Sequence, residues 1–111
     1  SAHNEGGLKS LVAQLKQLQF NQLHFVYGTV ADKDLSKIFP LLPKKANYYF
    51  CKPNIPRGKS EIELHSEAYG AGLQGEAYSS VKRALKSALT KAGMQDVIIV
   101  SGSIFVVAEV L

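Results

Sequence analysis

Four short, β-prone apolar runs alternate along the chain with segments of helical period, and this alternation limits the fold more than any other feature of the sequence. Leu8, Leu11, Val12, Leu15 and Leu18 recur at helical spacing, which predicts an amphipathic helix over about Gly7 to Gln19. Leu23-His24-Phe25-Val26-Tyr27, ending at Gly28, reads as a buried strand. Asp34 is placed to cap a second helix carrying Leu35, Ile38, Phe39 and Leu42, with Pro40 as a blemish and Pro43 as its stop. Tyr48-Tyr49-Phe50-Cys51 is the second strand, and the two prolines and glycine of 52–59 leave a loop with few conformations.

Ser60-Glu61-Ile62-Glu63 has the spacing of a capping box, so a third helix is expected to about Tyr69. Glu76-Ala77-Tyr78 is a short strand. A helix follows, capped near Ser79 or Ser80, packed through Val81, Leu85, Ala88 and Leu89, and closed by Gly93. Val97-Ile98-Ile99-Val100 is apolar on both faces, the pattern of a central strand covered on two sides. For Ser103 to Leu111, periodicity leaves strand and helix both open. Repeated helix–strand alternation is the mark of an α/β fold: a doubly wound, mostly parallel sheet with helices on both faces.

At 111 residues, 46% hydrophobic and 20% charged, the chain suits one domain with a real core. No run is long and apolar enough to span a bilayer, no secretory leader is visible, and a single cysteine, Cys51, fits a reducing compartment, so a cytoplasmic location is expected. The net charge of +4 is scattered rather than gathered into a basic stripe with stacking aromatics, which argues against nucleic-acid or membrane partners.

In open sheets of this kind ligands bind at the loops leaving the C-terminal strand ends. Those loops are 28–34, 52–59, 78–80 and 101–103. The literal G-x-G-x-x-G at Gly70 to Gly75 has its context reversed, with a helix before and a strand after, and is read as a helix C-cap and turn. No G-x-x-x-x-G-K-[ST] loop is present, so ATP chemistry would have to borrow a second domain. Ser101-Gly102-Ser103 lacks the nucleophile elbow of a serine hydrolase; its hydroxyls and N–H groups suit a carboxylate as well as a plain turn. Cys51 and His24 read as structural, and Glu61 with His65, four apart, read as a solvated helix face rather than a metal pair.

Ala2-His3-Asn4 resembles the D-x-A-H-N signature that opens the last domain of folylpolyglutamate synthases in the Mur ligase superfamily. Phe25-Val26-Tyr27-Gly28 leading to Asp32-Lys33-Asp34 is similar to that family's strand-glycine-K-D loop. Pro53-Asn54-Ile55-Pro56-Arg57 is similar to its P-x-x-P-R segment, and 101–111 to its closing G-S-x-Y-x-V-G-E-V-L element. The likeness runs the whole chain in order; the signature's aspartate would precede Ser1, and Glu5 stands where a proline often follows H-N.

The resemblance implies a Rossmann-like glutamate-ligase domain, residues 1–111, of a larger ligase whose ATPase domain lies outside this sequence, and it implies a helix rather than a strand after Ser103. It implies that ATP and Mg²⁺ activate a folate carboxylate in the full-length enzyme, that the amine of L-glutamate attacks the acyl phosphate, and that this domain alone is inactive. His3 and Asn4 would lie on the nucleotide side. Lys33, Arg57, Ser101 and Ser103 would hold the glutamate carboxylates, with Asp34 as a loop cap or amine acceptor. The alternatives are the same domain of another Mur-type amino-acid ligase, or a stand-alone α/β binding module.

Overall fold

The computed structural model describes residues 5–111. In chain order it contains α1 (Glu5–Leu15), β1 (Leu23–Gly28), a 3₁₀ turn (Phe39–Leu41), β2 (Asn47–Cys51), α2 (Glu61–Gly70), β3 (Gly75–Tyr78), α3 (Val81–Lys91), β4 (Val97–Gly102) and α4 (Ile104–Ala108). The four strands form one sheet in the order β3-β2-β1-β4, and every pairing is parallel. The doubly wound α/β class read from the alternation is therefore the class observed.

Strand alternation sends successive side chains to opposite faces, and the core divides accordingly. Phe25, Tyr27, Tyr48 and Phe50 pack on one face with α1, the Leu35–Leu42 segment and α2. Val26, Tyr49, Cys51 and Val106 pack on the other with Val81, Ala84 and Ala88 of α3. On the first face Tyr48 stacks on both Phe25 (centroids 5.3 Å apart) and Phe50 (5.4 Å), and its hydroxyl donates to the Pro43 carbonyl at 2.7 Å. The polar end of a buried ring is thus satisfied at the point where the chain turns into β2.

Several elements differ from the sequence reading, each for a local reason. Regular α1 stops at Leu15, because its last turn tightens into i→i+3 bonds from Gln17 and Leu18, and Leu18 is left 55% exposed. The second helix does not form. Asp34 caps a turn, accepting from the Ser36 N–H at 3.0 Å and its hydroxyl at 2.7 Å, and only the 3₁₀ turn around Pro40 follows, since proline offers no N–H to extend it. Leu35, Ile38, Phe39 and Leu42 are nevertheless all buried, so their spacing reported burial rather than helix.

Ser60 caps α2 through the N–H groups of Ile62 and Glu63, but the Glu63 carboxylate faces Lys59 at 4.0 Å. Gly72, with φ +86°, closes α2: the Leu73 N–H returns to the Ala68 carbonyl and the Gly72 N–H to that of Tyr69. This is the turn expected of the glycine-rich stretch. Ser80 caps α3, whose buried side is Val81, Ala84 and Ala88, whereas Leu89 is 61% exposed. Ala92 ends that helix, and Gly93 lies beyond it without a left-handed φ.

Val97 to Val100 are only half-buried, because β4 pairs with β1 alone and ends the strand order rather than lying at its centre. Ile98 and Val100 still pack against one core and Val97 and Ile99 against the other, which explains the apolar run. After Ser103 the chain is helical, as the resemblance implied.

Candidate functional site

The C-terminal ends of β1, β2 and β4 open onto one rim. Gly28 ends β1 opposite Gly102 of β4. A Cβ on Gly28 would stand 2.5 Å from the Cys51 carbonyl, and one on Gly102 1.9 Å from the Gly28 carbonyl, so the three strand ends approach as closely as bare backbone allows. Immediately beyond, the loops are tied together. Val30 forms an antiparallel bridge with Gly58, the Ala31 N–H donates to the Arg57 carbonyl at 2.7 Å, and the Lys59 N–H donates to the Thr29 carbonyl at 2.9 Å. The loops of 29–33 and 57–59 therefore form one structural unit.

On the other side of Gly28, the Ser103 N–H donates to the Gly28 carbonyl at 3.0 Å and starts α4. The Phe105 ring of that helix lies beneath the Arg57 guanidinium, 5.9 Å from ring centroid to Cζ. Arg57 thus shares the rim with Ser103 and with the loop that carries Lys33 and Asp34. Its side chain is 60% exposed, and its ion pair with Asp32 is a loose surface contact of 3.8 Å. Such an exposed pair contributes little to stability.

Lys33 is half-buried and makes no ion pair among the described residues. The Asp34 carboxyl is held below its ordinary pKa chiefly by the Ser36 hydroxyl and then by the Ser36 N–H, consistent with the loop-cap role. Ser103 Oγ accepts from the Phe105 N–H at 3.1 Å as the cap of α4, which leaves the hydroxyl proton able to donate. Ser101 is set back from this group: it is a buried residue of β4, paired in register with Tyr27. His3 and Asn4 lie outside the described residues.

Two contacts were not anticipated from the sequence, although both residues sit in the closing element already noted for its resemblance. One is Phe105 under Arg57. The other is Glu109, whose Oε2 accepts from the Asn54 N–H at 2.7 Å. Their spacing of four in a helix was the available signal. The Glu109 carboxylate, with Lys52 and Lys82, borders a polar cleft of about 430 Å³ beside Pro53 and Asn54. Burial, with smaller contributions from Glu109 and Glu61, pushes the Cys51 thiol up to about 12, in keeping with a packed rather than reactive cysteine.

A separate cavity of about 560 Å³, lined by His24, Tyr49, His65 and Lys91 among others, opens at the opposite, N-terminal ends of the strands and contains none of the rim residues. Asp96 accepts from His24 Nε2 at 2.8 Å, and in the neutral ring Nδ1 accepts from the Tyr49 hydroxyl at 2.7 Å, so His24 is structural as read. His65 is not on a solvated face: its Nε2 bonds to the Gly75 carbonyl at 2.9 Å and its ring meets Phe50 edge-on. The described residues contain no group of three or more His, Cys, Asp or Glu arranged for a metal, and none of their helices is long and apolar enough to cross a membrane.

A wound parallel sheet with a cationic, hydroxyl-bearing rim at its strand C-terminal ends defines an α/β domain of the kind that meets anionic ligands there. Comparison with known proteins makes this specific. Residues 1–104 match the family model "Mur ligase, glutamate ligase domain", and the chain belongs to that family. It is 34% identical over 110 residues to the probable bifunctional folylpolyglutamate synthase/dihydropteroate synthase of Haloferax volcanii, a match covering 97% of this chain and 13% of that protein.

Among solved structures, E. coli FolC in complex with DHPP and ADP superimposes with a TM-score of 0.85 at 30% identity, covering 98% of this chain and 26% of that one. A bifunctional folylpolyglutamate synthase/dihydrofolate synthase with Mn, AMPPNP and L-glutamate bound gives 0.85 at 31% identity, with the same coverages. The chain therefore spans about a quarter or less of the length of these relatives.

Proposed function

We propose that this chain is the glutamate-presenting domain of an ATP-dependent folylpolyglutamate synthase and that the Arg57 rim holds the carboxylates of the incoming L-glutamate. The observation that carries this reading is the joining of the 29–33 and 57–59 loops beside Ser103, which puts a largely exposed guanidinium, an ammonium-bearing loop and a hydroxyl on one edge. Arg57 suits one carboxylate, because a guanidinium binds it through two parallel hydrogen bonds. Lys33 and the Ser103 hydroxyl suit the other, and Ser101 supports them from within β4. Asp34 shapes the loop through Ser36.

The relatives' bound ligands support this reading: ADP in one, and an ATP analogue, Mn and L-glutamate in another. In the full-length ligase ATP supplies activation of the folate carboxylate. The domain that holds ATP and Mg²⁺ lies outside these 111 residues, with His3 and Asn4 as this chain's contribution on the nucleotide side. The residues described above have a narrower task. They fix the amino acid by its acidic groups, leave its amine directed at the activated carbonyl, and close the site to water, which lowers the entropic cost of bringing two substrates together.

The test is ATP turnover by the full-length protein with folate and a panel of amino acids. ADP release and amide formation that require both a folate and L-glutamate agree with the proposal. Preference for another amino acid or acceptor assigns a different Mur-type ligase, and ligand binding without turnover assigns a stand-alone module.

A further inference from the structure

We propose that α4 is a two-point clamp on the 52–58 loop and that Glu109 is the positioning residue that sets Arg57; this rests on the glutamate-rim reading above. Phe105 and Glu109 are four residues apart and so lie on one side of the helical turn. Both face the same loop. Phe105 underlies the guanidinium of Arg57, and Glu109 takes the backbone N–H of Asn54, 55 residues away in sequence, in a short charge-assisted hydrogen bond of 2.7 Å.

At that end Pro53 is packed out of solvent, and among the described residues, outside the strand ladder, the only hydrogen bond from 52–56 to another element is the one Glu109 accepts. Its internal bonds, Ile55 N–H to the Pro53 carbonyl and Gly58 N–H to the Ile55 carbonyl, hold its own turns together without fixing it to the sheet. Its far end is held by the bridges to Thr29, Val30 and Ala31. To the buried Pro53 at the near end Glu109 adds a directional hydrogen bond, and so fixes the orientation of the backbone that leads to Arg57. The clamp also has a firm base: Val106, between its two contacts, is fully buried against the Cys51 face of the sheet, and the helix start is bonded to Gly28. Pro53 and Pro56 then transmit the anchor to Arg57, because prolines leave the intervening backbone little freedom. Lys52 and Lys82 border the same cleft, but neither forms an ion pair with Glu109, whose carboxylate is used on the backbone.

The experiment uses the full-length ligase with Glu109→Ala, Glu109→Gln and Phe105→Leu. Two quantities are read: deuterium exchange of the peptide covering 52–58, and the KM and kcat for L-glutamate. Expected for Glu109→Ala are faster exchange and a KM for glutamate raised on the order of 10-fold with kcat little changed, because the carboxylate-binding group is displaced rather than removed. Glu109→Gln keeps an acceptor oxygen and restores most of both. Phe105→Leu, on a ring 39% exposed, preserves the fold and raises KM as well, so the test stands even if the alanine variant fails to fold. Unchanged exchange in Glu109→Ala refutes the clamp. Faster exchange with an unchanged KM refutes its positioning role. Arg57→Ala, run in parallel, separates these outcomes from failure of the glutamate reading, since an unchanged KM there removes Arg57 from the site whatever the exchange shows.

Discussion

Replacing Gly102 by alanine tests whether the rim depends on the contact between β1 and β4. Gly102 has φ +116°, outside the region an L-residue occupies without strain, and its Cβ would stand 1.9 Å from the Gly28 carbonyl oxygen. Gly28 has little room to retreat, because a side-chain position on it is already 2.5 Å from the Cys51 carbonyl and its own carbonyl holds the Ser103 N–H. The backbone conformation costs about 1–3 kcal/mol. Forced separation of packed backbone adds about 1–3 kcal/mol. A total of about 2–6 kcal/mol lowers the melting temperature of a domain this size by roughly 10–25 °C.

The assay is thermal unfolding followed by far-UV circular dichroism, with Gly70→Ala as the control. Gly70 lies in the last turn of α2, has no positive φ, and a methyl group added there would meet no heavy atom within 4 Å, so alanine should raise stability by about 0.4–1 kcal/mol. Equal melting temperatures for Gly102→Ala and the parent chain would show that the two strand ends are not in contact as described, and the placement of Ser103 beside the Arg57 loop would lose its support.

Three further outcomes follow from the same packing. The Asp96 carboxyl is held below its ordinary pKa first by the Gly93 N–H, then by His24 and the Gln22 N–H. A folded pKa below the unfolded one gives stability that is complete above about pH 4 and lost as pH falls through the folded value. Asp96→Asn should therefore flatten the acid limb of the stability profile measured by urea titrations. Cys51, with its thiol pushed up to about 12 and its side chain buried, should react with a thiol reagent only as fast as the domain opens, so rates in native buffer and in denaturant should differ by orders of magnitude. The Lys59 ammonium, on a side chain 9% exposed, sits 2.9 Å from Glu67 and 4.0 Å from Glu63. Lys59→Met should shift stability by less than about 1 kcal/mol. Glu67→Ala strands the cation with only its weaker partner and should cost about 1–2 kcal/mol in denaturant melts.

The sheet was legible because its strands combine apolar character with β-branched or aromatic residues, and because Ser60, Ser80 and the Gly70–Gly72 turn punctuate the helices by local chemistry. Strand order was not legible. Val97 to Val100 look the same whether they lie in the middle of a sheet or at its edge, since both faces pack against apolar residues either way. The 34–42 segment misled because helical spacing and a buried 3₁₀ turn place the same residues inward, and only the missing N–H of Pro40 separates them. For the site, the basic and hydroxyl residues were visible as loop residues at strand exits, and the loops proved to be tied together. The contacts of Phe105 and Glu109 were hidden, because a contact between residues 54 and 109 depends on how α4 folds back over the strand ends.

Recognition of the glutamate carboxylates by the Arg57 rim is tested most simply by the dependence of ATP turnover on L-glutamate in the full-length protein carrying Arg57→Ala. Such recognition requires a strongly raised KM for glutamate, an unchanged KM for ATP, and incomplete recovery with Arg57→Lys, because an ammonium cannot form the paired hydrogen bonds of a guanidinium. A glutamate KM equal to that of the unmodified enzyme would contradict it.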